Sequence, residues 1–382
     1  MGSKSSLDCK VEDDSNHLEP FLITNCHIHT FYLSLVPKGV LPVGLSQALA
    51  SLPLQAAVVQ ALHWLNPINK RDRFSRYANF LEIGGQRTQD EIFEIIKGYY
   101  PRKTRFVVLP MDMEFMGAGK PPKDINDQHN ELEQLAKKNP ESLLPFFAID
   151  PRRYNGEKGQ AALDAELRKR FPADLNNRIF RGIKLYPPLG YSPKDHRLEA
   201  MWAYCNEHNV PVLSHCSRGG VHRRGASQAE VDRNTDPDNY LLLLDKYKNL
   251  RICLAHFGGD DDWEAYFEKP ESRIEVDLDD TYDKRKSMNW VSKILQIIES
   301  RRYPGLYTDI SYTIFSTQKF LPAISVILKN SSNVRAKTLF GSDYYMTQNE
   351  KFDERYLSMQ LRHTLGEEVF REIAERNPRM YL

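Results

Sequence analysis

Phe21-Leu-Ile-Thr-Asn-Cys-His27-Ile-His29-Thr30 reads as a short apolar strand closed by two histidines. Side chains two apart on a strand share a face, so His27 and His29 aim two imidazoles at one point. Two convergent neutral imidazoles are half of a typical zinc, iron or manganese site, although two ordinary histidines closing a strand would look the same. Seven further apolar, β-rich runs follow: 105–109, 143–149, 180–186, 210–214, 251–255, 306–311 and 338–340. Most of them finish in a polar residue or a Gly/Pro signal. Between them, 127–138, 160–170, 198–208, 237–246, 290–299 and 322–328 carry apolar residues at helical spacing. Alternation of strand and helix predicts an α/β fold of parallel units, and eight strands predict a (β/α)8 TIM-like barrel.

The intervals are uneven. Residues 1–20 read as a flexible polar N-terminus and 21–382 as one barrel domain, with inserts at about 31–104 and 258–304, after strands 1 and 6. The first insert holds the helical stretch 45–65 and the basic run Lys70-Arg-Asp-Arg-Phe-Ser-Arg76. In a barrel both inserts would emerge at the C-terminal rim, where lids are built.

Composition excludes several function classes. The 382 residues carry a net charge of +1, too little basic surface for wholesale nucleic-acid binding. No apolar run is long enough to span a membrane. Cys9, Cys26, Cys205, Cys216 and Cys253 are odd in number and scattered, which argues against a disulfide framework and for a reducing, cytoplasmic setting. Met1-Gly2-Ser3-Lys4-Ser5-Ser6 matches the pattern for N-myristoylation, and an unmodified flexible terminus would look identical. An assembly of identical chains is compatible with the sequence.

Reactive side chains of a β/α barrel sit at the C-terminal ends of its strands. Five candidates fall there: His27 and His29 on the first strand, His215 on the fifth, His256 on the sixth and Asp343 on the eighth. Each alone has an ordinary explanation, as a hydrogen-bonded histidine or a turn aspartate. Five on one rim point to a metal centre.

At this point the residues resemble a family. H-x-H, then Gly182-Ile-Lys-Leu-Tyr-Pro187, then Ser214-His-Cys216, then Ala255-His-Phe-Gly-Gly259, then Gly341-Ser-Asp343 resembles the amidohydrolase superfamily. More narrowly, the order is similar to the amidohydrolase-related branch of aminocarboxymuconate-semialdehyde decarboxylase and its hydrolase and hydratase relatives, over about residues 20–382. The resemblance implies that His27, His29, His215 and Asp343 hold one divalent metal, most naturally zinc, with manganese or iron also suited. It places His256 beside that metal as a catalytic group. Asp343 would take a proton from the metal's water and pass it to a leaving group.

Lys184 admits three readings: contact with a substrate carboxylate, a carboxylated bridge between two metals as in binuclear members of the superfamily, or a lysine snorkelling at the barrel mouth. After His215, Cys216-Ser-Arg218-Gly-Gly-Val-His222-Arg-Arg-Gly225 suits bidentate capture of a carboxylate or phosphate, and equally a solvated basic loop. Arg218, closest to a ligand, is the expected substrate contact. Strand alternation turns Cys26 and Cys216 away from the ligands, as packing residues.

The expected activity is therefore hydrolysis of a small, anionic amide, ester or lactone. Non-oxidative decarboxylation of an aromatic or unsaturated acid is the alternative, and a metal-binding barrel without turnover the third reading. A histidinol-phosphatase-type phosphoesterase fits less well, since Asp343 is followed by Tyr344-Tyr345 rather than x-His. An adenosine-deaminase-like role lacks its H-x-x-E after the fifth strand.

Overall fold

The computed structural model describes residues 21–40, 83–85, 87–273, 276–313, 319–345 and 353–382. The helical stretch 45–65 and the basic run 70–76 lie outside them. Eight parallel strands follow one another around a single sheet: β1 (Thr24–Ile28), β2 (Arg105–Val108), β3 (Leu143–Ala148), β4 (Gly182–Leu185), β5 (Val212–Ser214), β6 (Ile252–Leu254), β7 (Leu306–Asp309) and β8 (Thr338–Leu339). All are buried almost throughout, as strands covered on both faces must be.

Helices fill the connections where the sequence places them. Ile125–Lys138, Gly156–Arg170, Glu199–His208, Trp290–Glu299 and Leu321–Asn330 match the periodic stretches within a few residues, while Pro237–Tyr240 is a 3-10 turn leading into Leu241–Lys246. Asp124 caps the first of these through a capping box with Asp127, and Thr88 does the same with Glu91 for Gln89–Lys97. Among the described residues no helix is long and apolar enough to cross a membrane.

Two apolar layers hold the barrel. The larger lies between strands and helices. The smaller fills the barrel itself and includes Val107, Phe146, Leu213, Cys253 and Tyr307, with Tyr381 from the C-terminal helix. Gly182 belongs to that interior, because a Cβ there would stand 2.5 Å from the Phe146 ring.

Cys26 also lies inside, against expectation. The β1–β2 register shifts between Asn25 and Ile28, a bulge that places Cys26 as well as His27 on the inner face. Cys216 follows simple alternation and joins the outer layer.

The barrel closes between β8 and β1. Cys26 N–H donates to the Phe340 carbonyl (2.8 Å), Asp343 N–H to the His27 carbonyl (2.8 Å) and His29 N–H to the Tyr344 carbonyl. Asn25 stitches the seam from the side. Its Nδ2 donates to Ser342 Oγ (2.9 Å), and its Oδ1 accepts the N–H groups of Ser342 (3.1 Å) and His27 (3.2 Å). Asn25→Ala leaves both buried N–H groups without that acceptor, and is expected to cost about 2–4 kcal/mol. The check is a lower urea midpoint with an unchanged denaturant slope.

Candidate metal centre

His27 and His29 end β1, Asp343 follows β8, and the seam bonds interleave with them. Asp343 Oδ1 lies 3.3 Å from His27 Nε2 and 3.2 Å from His29 Nε2. All three residues are buried, and among the described residues neither His27 Nε2 nor Asp343 Oδ1 has a hydrogen-bond partner. Two convergent lone-pair donors and a carboxylate oxygen form the donor set that a divalent cation takes. Asp343 reaches this position with φ +59°, a left-handed backbone that aspartate tolerates better than most residues.

The outer nitrogen of each imidazole is committed elsewhere. His29 Nδ1–H donates to the Leu109 carbonyl (2.8 Å), and His27 Nδ1–H to Asp309 Oδ2 (3.0 Å). His215, just past β5, donates Nε2–H to the Gly219 carbonyl (3.0 Å). Each bond fixes a tautomer and leaves the other nitrogen as a lone pair, the arrangement of metal-ligating histidines. Burial holds His27 well below the usual imidazole range and pushes His215 down to about 3, with Lys184 adding to both shifts. They are neutral at pH 7.

His256 sits in the turn after β6 with φ +68°. Its Nδ1–H faces Ser311 Oγ (2.9 Å), and its Nε2 stands 3.1 Å from His215 Nδ1. With both N–H groups committed outward, two lone pairs face one another, which a cation or a shared proton relieves. His215 thus lies beside His256, while the tighter cluster joins His27, His29 and Asp343.

Lys184 shares the inner face of β4 with Gly182. It is 1 % exposed and its Nζ has no hydrogen-bond partner. Burial lowers its pKa to about 8, against the opposing pull of Asp309 and Asp343. A cavity of about 10 Å³, room for about one water, lies beside it, walled by Met111, Asp112, Asp150, Tyr186, Leu189 and Tyr191. Among the described residues this cation has no counter-ion in bonding range.

Arg218 is placed differently from the sequence expectation. Its guanidinium is held by Asp262 (2.7 Å) and Asp232 (2.7 Å) and stacks on Trp290 at 4.2 Å. Asp262 in turn accepts the Trp290 N–H (2.7 Å). Arg218 therefore clasps the loop after β5 to the connection after β6, with all three of its nitrogens engaged in the fold. The neighbouring Arg223 and Arg224 are likewise taken, by Glu230 and the Gly39 carbonyl.

What the Gly-rich loop contributes is backbone. Gly220 has φ +101°, and a Cβ there would lie 2.6 Å from Tyr186 Oη and 3.0 Å from His215 Cε1. Gly220→Ala is expected to destabilise the fold by about 1–3 kcal/mol, read as a lower urea midpoint, and to shift the His215 ring signals in NMR spectra.

Sequence reasoning missed Asp309. It is fully buried at the end of β7 and bonds His27, the His256 N–H (3.0 Å) and the Ser311 N–H (3.0 Å). The available signal was a carboxylate two residues after Tyr307, hence on the same inner face.

A family model described as amidohydrolase matches residues 97–381. No curated protein sequence matches the chain. Solved structures share its fold at low identity. A 4-oxalomesaconate hydratase from Rhodopseudomonas palustris aligns with TM-score 0.51 and 13% identity, covering 94% of this chain and 95% of its own. A 2,6-dihydroxybenzoate decarboxylase from Rhizobium gives 0.52 and 13%, covering 94% and 98%. A probable 2-pyrone-4,6-dicarboxylic acid hydrolase from Acinetobacter baumannii gives 0.51 and 12%, over the same shares.

Proposed function

Because the chain belongs to the amidohydrolase family, we propose that it is a metal-dependent hydrolase acting on an amide, ester or lactone in a small carboxylate-bearing substrate. The observation that carries this reading is the convergence of His27 Nε2, His29 Nε2 and Asp343 Oδ1 in a buried position. His27, His29, His215 and Asp343 would hold one divalent ion. Their chemistry suits zinc first, and manganese or iron by ligand type. When bound, the ion supplies a Lewis acid and a water acidified toward neutral pH.

The chain's own groups do the rest. Asp343, its carboxylate beside both imidazoles, would take a proton from the attacking water and deliver it to a leaving group. His256, neutral and pinned through Nδ1, presents the Nε2 lone pair to accept a proton from water and orient it. Lys184, a buried cation on the same inner face, would take the substrate carboxylate. The 2,6-dihydroxybenzoate and citric acid bound by structural neighbours are carboxylates, which supports an anionic substrate.

A second reading is non-oxidative decarboxylation of an aromatic or unsaturated acid. The 2,6-dihydroxybenzoate decarboxylase whose fold this chain shares supports it. Product analysis separates the two: carbon dioxide without a hydrolysed bond sinks the hydrolase.

His29→Ala is expected to take up no metal by elemental analysis. His256→Ala should keep its metal and lose about 10²–10⁴-fold in turnover. Loss of metal from His256→Ala would make His256 a ligand instead.

Lys184 binds a carboxylate only while protonated. In the free enzyme kcat/KM should fall as pH rises through about 8, or lower where a bound dication depresses the amine further. In the complex the carboxylate raises that pKa, so kcat should stay level to higher pH. Lys184→Met should raise KM about ten- to a hundredfold and remove the alkaline limb of the kcat/KM profile.

A further inference from the structure

The carboxylate of Asp309 touches two functional histidines by different means. Oδ2 accepts from the ring of His27 (3.0 Å). Oδ1 accepts the backbone N–H groups of His256 and Ser311, each at 3.0 Å, and the Ser311 hydroxyl. That hydroxyl in turn lies 2.9 Å from His256 Nδ1 and 3.0 Å from His27 Nδ1. The left-handed backbone of His256 is unfavourable for a non-glycine residue and persists only when its surroundings hold it. Asp309 holds its N–H, and the Thr313 hydroxyl its carbonyl.

We propose that Asp309 is a positioning residue that couples the metal-holding half of the site to its proton-handling half. Through Oδ2 it keeps the His27 proton on Nδ1. Through Oδ1 and the Ser311 hydroxyl it fixes His256 with Nε2 facing His215. The inference rests on the metal-centre reading given above for the roles of the two histidines.

Chemistry at Asp309 allows a sharp substitution. An ionised carboxylate accepts at both oxygens, whereas an amide of the same shape has one oxygen and one donor NH2. In Asp309→Asn the amide oxygen stays with the two backbone N–H groups, since the reverse would set NH2 against both of them. The NH2 then faces His27 Nδ1. His27 must accept there, and its proton moves to Nε2, where a metal would otherwise bind.

The test uses the full chain with ¹⁵N-labelled histidine side chains, first without metal and then titrated with zinc. In wild type, His27 is expected as the Nδ1–H tautomer. In Asp309→Asn it should become Nε2–H, while His29, tied to the Leu109 carbonyl, stays unchanged as an internal control. Zinc affinity should fall about ten- to a hundredfold. Ser311→Ala should keep the His27 tautomer and shift the His256 ring signals and the pH profile of kcat/KM.

An Asp309→Asn protein that retains the Nδ1–H tautomer and wild-type zinc affinity would overturn the proposal. Unchanged His256 signals and pH profile in Ser311→Ala would overturn it even where Asp309→Asn does not fold. A tautomer switch in a protein whose wild type takes up no zinc would instead remove the metal-centre reading and leave the positioning role standing.

Discussion

Closure of the sheet between β8 and β1 is the constraint on which the rest depends. The bonds Cys26 N–H to Phe340, Asp343 N–H to His27 and His29 N–H to Tyr344 alternate across the seam. His27, Asp343 and His29 are therefore the residues that close the barrel as well as those whose lone pairs converge. Their spacing is set by backbone hydrogen bonds across the seam, which favours precise placement of a site. Asn25 and Ser342 link across the same seam although 317 positions separate them. Closing so long a stretch of chain is entropically slow, so this half of the site depends on contacts distant in sequence.

A second constraint is the tautomer of each imidazole. Three histidines are turned by one outward acceptor apiece, but the acceptors differ in kind. His29 and His215 are held by the carbonyls of Leu109 and Gly219, which any residue would supply provided the backbone lies there. His27 is held by a side chain, Asp309. Orientation of the first two is thus encoded in strand register and in the glycines that let the loop approach. Orientation of the third rests on one carboxylate.

That difference explains what was legible in the sequence. Strand-end residues of the right chemistry were readable because apolar runs end in them, and the helix at Trp290–Glu299 was readable to the residue because its apolar period is unbroken. Carbonyl acceptors carry no signature at all. Cys26 was misplaced because alternation assumes a regular strand, and a bulge adds a residue without marking the sequence. Arg218 looked free because its partners, Asp232 and Asp262, lie 14 and 44 positions away. Asp309 sat unread inside the seventh run, where a buried acid on the inner face was itself the clue.

The site divides around the barrel. β1, β8 and β5 carry the proposed ligands, and β6 and β7 carry His256 and Asp309. The cavity wall comes from β2, β3, β4 and the residues just after them, with Lys184 as its unpaired cation. On the proposed reading, hydrolysis and decarboxylation would share the metal half and differ in how a substrate lies against this wall. A carboxylate gripped by Lys184 is retained, and a second bond must then reach Asp343 and His256 for hydrolysis. A carboxylate turned instead toward the metal side is the one that departs, and Lys184 would then hold another oxygen of the same acid. On the proposed reading the choice of reaction would lie with the β2–β4 wall, because the same ligand set could face either bond.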